Sequence, residues 1–266
     1  MNNPQPPEAF RSLLGLGVPQ GYFPVKNLNR WGSLIAMAVC LCGAMATFFY
    51  ALYEAYVWSR YGPVMIQDRM TVPLIVCGVL VLIAGLAGWG AYASWVKGVA
   101  CYEGGVACRS RKGIQAWHWE EIDRFYTAIT RHYTNGIYTG TTHVYTLFNR
   151  KQERLVLNDA YVRVEDLGKR VEQSIFPRLY QDAVSKYNAG ETLDFGPVAL
   201  SKGGIQARKK VYPWSEVRQV SIQRGILRVS KKDGGRFSGT QAAASAIPNL
   251  RVLLSLIDQI VGIRTA

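Results

Sequence analysis

The sequence predicts an α+β membrane protein: an N-terminal two-helix transmembrane hairpin, followed by antiparallel β-barrel or sandwich repeats, each closed by a C-terminal helix. Three observations predict it. There is no charged residue between Arg30 and Glu54, and none between Arg69 and Lys97. Beyond Lys97 the hydrophobic pattern shifts to period two, broken by glycine-containing turns. Two passages of that second region also resemble one another in the order of their signals.

Each uncharged stretch exceeds the ~20 apolar residues needed to cross the hydrocarbon core of a bilayer. A backbone in lipid has no water to bond, so such a stretch must be helical. We place the first helix at residues 31–58, an external loop at 59–69 and the second helix at 70–96. Aromatic rings sit where the interfaces belong: Trp31 at one end of the first helix, Tyr53, Tyr56 and Trp58 at the other, and Trp89, Tyr92 and Trp95 at the far end of the second. The first stretch is too long for the ~7–15-residue core of a signal peptide, and a proline-rich polar segment precedes it. Small residues recur at every fourth position (Ala36, Cys40, Ala44, and again Ala84, Gly88), a spacing that lets helices approach closely.

Basic residues set the orientation. Arg11, Lys26 and Arg30 precede the first helix, Lys97, Arg109, Arg111 and Lys112 follow the second, and only Arg60 and Arg69 lie between. This bias places both termini in the cytoplasm and the helices in the inner (cytoplasmic) membrane. Residues 1–30, with five prolines and several glycines, read as a flexible tail lacking a core.

Charge is segregated. Six basic and three acidic side chains lie up to Lys97; the remainder carries 25 basic and 15 acidic ones, within a total net charge of +13. The diffuse excess suits work beside anionic lipid. It would also suit nucleic acid, which we do not adopt as a partner. Five cysteines without a CxxC or regular spacing point to no disulfide framework and no zinc site.

In the second region Glu103-Gly104-Gly105, Lys112-Gly113, Asn135-Gly136, Gly203-Gly204, Arg224-Gly225 and Asp233-Gly234-Gly235 read as turns between strands. Residues 161–187 read as a helix with Val164, Leu167, Val171 and Ile175 on one face, to be kinked or split by Pro177. Residues 248–261 read as another, with a stripe of Leu250, Leu253, Leu254, Ile257 and Val261. The internal similarity matches Gly113-Ile114-Gln115-Ala116 and Trp119-Glu120-Glu121-Ile122 with Gly204-Ile205-Gln206-Ala207 and Trp214-Ser215-Glu216-Val217. A chance four-residue match is common; the shared order of strands, tryptophan and closing helix is less so.

The Trp-x-Glu-aliphatic element after a glycine hairpin, followed by strands and a helix, resembles bacterial pleckstrin-homology-like (PH-like) domains attached to a two-helix anchor. More narrowly, residues 133–142, Phe195-Gly196-Pro197 and residues 248–254 resemble an uncharacterised bacterial family of that type. The resemblance covers residues 99–261 and implies a first PH-like domain at 98–190 and a second at 191–266. It implies no activity.

Catalytic chemistry is not legible. His118, His132 and His143 have no metal-ligand spacing, although His132 and His143 flank a turn and could face one another. Glu120, Glu121 and Asp123 are too closely spaced to converge as an acid–base pair. No nucleophile elbow, P-loop or dinucleotide fingerprint occurs. We therefore expect no enzyme, no cofactor and no metal. Two binding features remain. Arg109, Arg111, Lys112, Lys209 and Lys210 could meet anionic lipid. Residues 125–148 are rich in Tyr, Thr and His, with Tyr133, Asn135, Gly136, Tyr138 and Tyr145 around a turn, and could form a recognition hairpin or a plain exposed one. The expected function is a membrane-anchored cytoplasmic binding or scaffolding module for a protein partner or anionic lipid headgroups. The alternative is an accessory subunit of a membrane transport or envelope-stress complex acting through its helix hairpin. Membrane lipids and a protein are the expected partners; oligomeric state is not legible.

Overall fold

The computed structural model describes residues 7, 10, 14–110, 113–207, 210–232 and 239–261. It divides into two units, residues 24–98 with 108–115, and residues 1–23, 99–107 and 116–266.

The first unit is built on helices α1 (Asn27–Trp58) and α2 (Pro63–Val96). At a rise of ~1.5 Å per residue both are longer than a bilayer core is thick. Each contains a span long and apolar enough to cross a membrane, Trp31–Trp58 and Ile66–Val96, and of an apolar 18-residue stretch in each only 11% and 6% is buried. A soluble core helix would bury most of such a surface. The expected loop at 59–69 shrinks to a 3-10 turn, Ser59–Tyr61, and Gly62. Residues 63–69 are instead the start of α2, because Pro63 occupies the first helical position, where its missing N–H is not needed.

The less exposed face of α1 runs through Ser33, Met37, Cys40, Ala44, Thr47 and Ala51; that of α2 runs through Met70, Pro73, Cys77, Leu80, Ala84 and Ala91. Steps of four and three alternate, which keeps a helix seam facing its partner. A strict four-residue step drifts around the helix, so Ala36 falls off the seam and is exposed while Ala44 and Ala84 are buried. A methyl group on Gly88 would stand 3.0 Å from Met37 Sδ, and one on Gly43 3.3 Å from Leu80 Cδ1. Trp31 and Trp95 meet edge-on at 6.5 Å, closing the open end of the hairpin.

Among the described residues the strands form four sheets, none closed into a barrel. β1 (Pro19–Pro24), β2 (Gly98–Tyr102), β3 (Gly105–Ser110) and β4 (Gly113–His118) are ordered β1-β2-β3-β4. β5 (Ile122–Thr134), β6 (Ile137–Asn149) and β7 (Arg154–Asn158) form a meander, followed by α3 (Val164–Asn188). The pattern then recurs. β8 (Leu193–Phe195), β9 (Val198–Ser201), β10 (Gly204–Ala207) and β11 (Lys210–Pro213) make four consecutive strands. β12 (Val217–Gln223), β13 (Ile226–Lys231) and β14 (Gly239–Ala243) make three, and α4 (Leu250–Val261) closes the chain.

The N-terminal segment is not the coreless tail its composition suggests. Every residue of β2 is buried, and a buried strand needs hydrogen-bonding partners on both edges; β1 supplies the second. Phe10, Leu16 and Tyr22 pack with Ala100, Tyr102 and Ala107 in a small core. The Tyr102 hydroxyl donates to the Phe10 carbonyl at 2.6 Å. Pro19 and Pro24 are the two ends of a paired strand.

The two halves share one local device. The indole N–H of Trp119 donates to the carbonyl of Glu103 at 2.9 Å, and that of Trp214 to the carbonyl of Ser201 at 3.0 Å. The Trp119 amide bonds the Gly104 carbonyl, and the Trp214 amide the Gly203 carbonyl. A methyl group on Gly105 or on Gly204 would collide at 2.2 Å with a carbonyl of the following strand. These bonds align Gly104-Gly105 with Gly203-Gly204. The match of Gly113-Ile114-Gln115-Ala116 to Gly204-Ile205-Gln206-Ala207 is therefore fortuitous, since it joins terminal strand β4 to inner strand β10.

α3 runs unbroken through Pro177. Val164, Leu167, Val171 and Ile175 are buried on the stripe expected of it. Phe176, Leu179, Tyr180, Ala183, Val184 and Tyr187 pack on the core of the second half. One helix thus serves both halves, so the boundary expected at residue 190 is not a linker between independent cores. Arg251 of α4 lies 3.6 Å from Glu172 of α3 and stacks over Phe176.

Gly168 lets α3 approach β6, since a methyl group there would lie 2.3 Å from the Tyr145 ring. Gly→Ala in an exposed helix gains about 1 kcal/mol, whereas overpacking costs about 1–3 kcal/mol. Gly168→Ala should therefore lower rather than raise the melting temperature of the detergent-solubilised protein, read by tryptophan fluorescence.

Candidate functional site: a groove beside the long hairpin

Asn135 and Gly136 form the two-residue turn between β5 and β6, with φ of 52° and 80°. Such a turn needs positive φ at both positions, and Asn-Gly is the pair that tolerates it best. Both strands are 13 residues long, but β7 pairs only with residues 144–148 of β6. Beyond that point the hairpin continues as a two-stranded ribbon. Its apolar side chains are largely in the open: Ile129 is 55% exposed, Tyr133 60%, Ile137 71% and Tyr138 56%. Tyr133 and Tyr138 face one another across the turn at 5.9 Å, and the Tyr138 hydroxyl bonds Thr141 at 2.7 Å.

Tyr133, Asn135, Gly136 and Tyr138 are brought together as expected; Tyr145 is not among them. It is 5% exposed, stacks on Phe125 at 5.8 Å and lies beneath Gly168. Burial, with Glu165, Glu172 and Asp159 nearby, pushes its hydroxyl up to about 12. It is a core residue, because its position in the strand points to α3 rather than outward. His132 and His143 do not face one another either. His132 pairs with Gly140 and His143 with Ile129, so the turn's register holds them three rungs apart. His132 bonds Thr142, and His143 Nδ1 lies 3.6 Å from Asp159. Among the described residues no cluster of three metal-ligating side chains occurs.

Of the basic residues, Arg111, Lys112 and Lys209 lie outside the described residues. Arg109 is half-buried at the end of β3 and groups with the helical unit, whereas Lys210 is exposed at the start of β11 in the β-rich one. Glu121 accepts the His118 amide at 2.9 Å and so caps a turn. Burial pushes the Cys101 thiol up to about 12, against the weaker pull of Arg170, so it stays protonated at neutral pH.

A large concavity of the β-rich unit lies along β5. It has a volume of about 1030 Å³ and is lined by Thr127 to Arg131, Tyr133, the Arg224-Gly225 turn, Ala244, Ser245 and Leu250. The opposite wall is firmly built. Arg224 and Gly225, with φ of 51° and 74°, make a two-residue turn between β12 and β13. The Gly225 carbonyl accepts the Ala244 amide at 2.9 Å, which fixes the 3-10 turn Ala244–Ala246 beside it.

One end of the groove is stopped by Asn249. Its Oδ1 accepts the Phe125 amide at 2.9 Å, its own amide donates to the Phe125 carbonyl at 2.8 Å, and its Nδ2 donates to the Asp123 carbonyl at 2.9 Å. Asn249 thus stands in for a neighbouring strand. Its φ of 51° is one that asparagine accepts more readily than most residues. A smaller cavity of about 240 Å³ is lined by Phe23, Arg163, Asp166, Lys169, Arg170 and Gln173. Its Lys169 is paired with Glu165 at 2.9 Å, and its Arg170 bonds the Gln20 carbonyl at 3.1 Å.

Replacing Asn249 by Gly keeps the backbone conformation and removes the side-chain bonds, for an expected loss of about 1–2 kcal/mol. Asn249→Ala should lose about 1 kcal/mol more through its positive φ. Denaturant unfolding of the two variants checks that order.

Comparison with the curated proteins finds no match. Residues 14–264 match a family of unknown function, DUF6585. The match includes both apolar helices, the long hairpin and every residue of the groove, and the chain belongs to that family.

Proposed function

We propose that this protein is a membrane-anchored binding module that holds a protein partner at the cytoplasmic face of a bacterial inner membrane. In this reading α1 and α2 span the bilayer with both termini inside, as the basic residues around them favour. The two β-rich halves, each of four strands, three strands and a helix, are PH-like repeats of one ancestral unit joined through α3. The shared Trp119 and Trp214 bonds support duplication.

One observation carries the binding role: exposed Ile129, Tyr133, Ile137 and Tyr138 on a ribbon that flanks a groove. Exposed tyrosines beside aliphatics serve recognition because they combine large contact area with a polar tip. Anionic lipid is a supporting contact, made by basic side chains such as Arg109 and Lys210 and worth about 1 kcal/mol each beside a charged leaflet.

The second reading, an accessory subunit acting through the helix hairpin, draws on Glu54. This carboxylate lies within an apolar helix, accepts the Tyr50 hydroxyl at 2.7 Å and has its other oxygen buried without a partner. Ionisable groups in such segments usually serve a purpose.

Two measurements test the first reading. The full chain should remain in the membrane pellet after an alkaline carbonate wash; release into the supernatant would remove the anchor. A photo-crosslinking residue at position 138 should give a discrete protein adduct in cells, and one at exposed Gln206 should not. Tyr133→Ala should weaken partner capture by about 2 kcal/mol if it is a binding hot spot. A ribbon that yields no specific adduct would sink the partner role.

A further inference from the structure

The groove holds an unpaired strand edge. Phe125 directs both its N–H and its C=O to Asn249, away from β6. In an antiparallel pair the direction of these groups alternates from residue to residue. Register between β5 and β6 is continuous from Arg124 to His132. Thr127, Ile129 and Arg131 therefore present their N–H and C=O groups outward as well. β5 is the terminal strand of its sheet, and no described residue bonds those groups. Exposed edges are normally blunted by proline, by a bulge or by short length. Between Thr127 and Arg131 there is neither proline nor bulge.

The groove follows this edge. Thr127 to Tyr133 extend over about 20 Å of strand, and the wall of Arg224, Gly225, Ala244 and Ser245 stands opposite. A cavity drawn out along a strand fits an extended chain better than a compact molecule. Its charge is one-sided: Arg131 and Arg224 line it, no acidic residue does, and neither arginine forms an ion pair with a described residue.

We propose that β5 captures an extended acidic peptide segment of the partner protein by strand addition, the peptide pairing with the outward edge of Thr127, Ile129 and Arg131 and placing carboxylates against Arg131 and Arg224. The inference rests on the partner-binding reading and names its mode. Backbone bonds supply affinity without demanding a fixed sequence, and the peptide side chains on the face that Ile129 and Arg131 share reach those two residues. Asn249 sets the end of the added strand, because the edge beyond Phe125 is already occupied.

The test uses the full chain in detergent micelles and three fluorescent nine-residue peptides read by anisotropy. One alternates valine or threonine with glutamate, one carries lysine for glutamate, and one is the acidic peptide with alternate backbone amides methylated. The acidic peptide should bind with a Kd of about 10 µM, more weakly at high salt; the other two should bind at least tenfold more weakly. Ile129→Pro removes an outward N–H that β6 does not use, so it should leave the melting temperature close to wild type and weaken binding about tenfold. The double variant Arg131→Glu/Arg224→Glu should prefer the lysine peptide. Equal binding of acidic and lysine peptides, indifference to methylation, or failure of all three peptides would overturn the proposal. So would concentration-dependent dimerisation abolished by Ile129→Pro, which would make a second copy of the chain the occupant. Crosslinking at position 138 separates this from the broader reading: an adduct that persists in Ile129→Pro keeps the partner and discards strand addition, whereas loss of every adduct in the wild-type chain discards both.

Discussion

A backbone amide that finds neither water nor a partner costs about 1–3 kcal/mol, and the architecture of this protein follows from where that requirement is met. In α1 and α2 it is met within each helix, which is what permits surfaces that are apolar on every side. In the fully buried β2 it is met by β1, drawn from the N-terminal segment. At the start of β5 it is met by the side chain and amide of Asn249. Further along β5 it is met by no group of the described protein, and there a groove lies against the strand.

The same constraint explains the likeness between the two β-rich halves. In each, a tryptophan packs its ring on the core and satisfies its indole N–H on a carbonyl earlier in the chain, while a glycine allows the next strand to come within contact distance. Such a device works only if the Trp-x-Glu element and the glycine pair keep their spacing. The glutamate carries its own share: the Glu121 carbonyl accepts the Arg150 amide and the Glu216 carbonyl the Lys232 amide. α3 then joins the halves, its first turns packing in the first half and its later turns on the core of the second, so the β-rich unit has one continuous framework on which the ribbon is mounted.

The groove combines residues that are distant along the chain. Its floor strand comes from the first half, and its far wall from the turn and closing segment of the second. Arg131 and Arg224 are unremarkable as single basic residues; only their convergence on one cavity without an acid makes them a charge site. By contrast, Arg109 and Lys210, each from a basic cluster in the sequence, belong to different units. Strands place neighbouring residues on opposite faces and carry successive turns to different ends of a sheet, so charges close in sequence need not converge.

What the amino-acid sequence determined by itself was local: two helices long and apolar enough to cross a membrane, the Asn135-Gly136 turn and the ribbon it launches, and the apolar stripe of α3. Each depends on hydrophobic periodicity or on a φ that few residues tolerate, and both are written in short stretches of chain. Only the tertiary structure decided that residues 19–24 of the proline-rich N-terminal segment would be a strand, that Tyr145 would be core while Tyr133 and Tyr138 stay exposed, and that Thr127 to Arg131 would share a groove with Arg224, Ala244 and Leu250. Those outcomes rest on pairing between segments up to 124 residues apart. Hydrogen bonds of that range are set by which buried edge lacks a partner, and no local pattern encodes that.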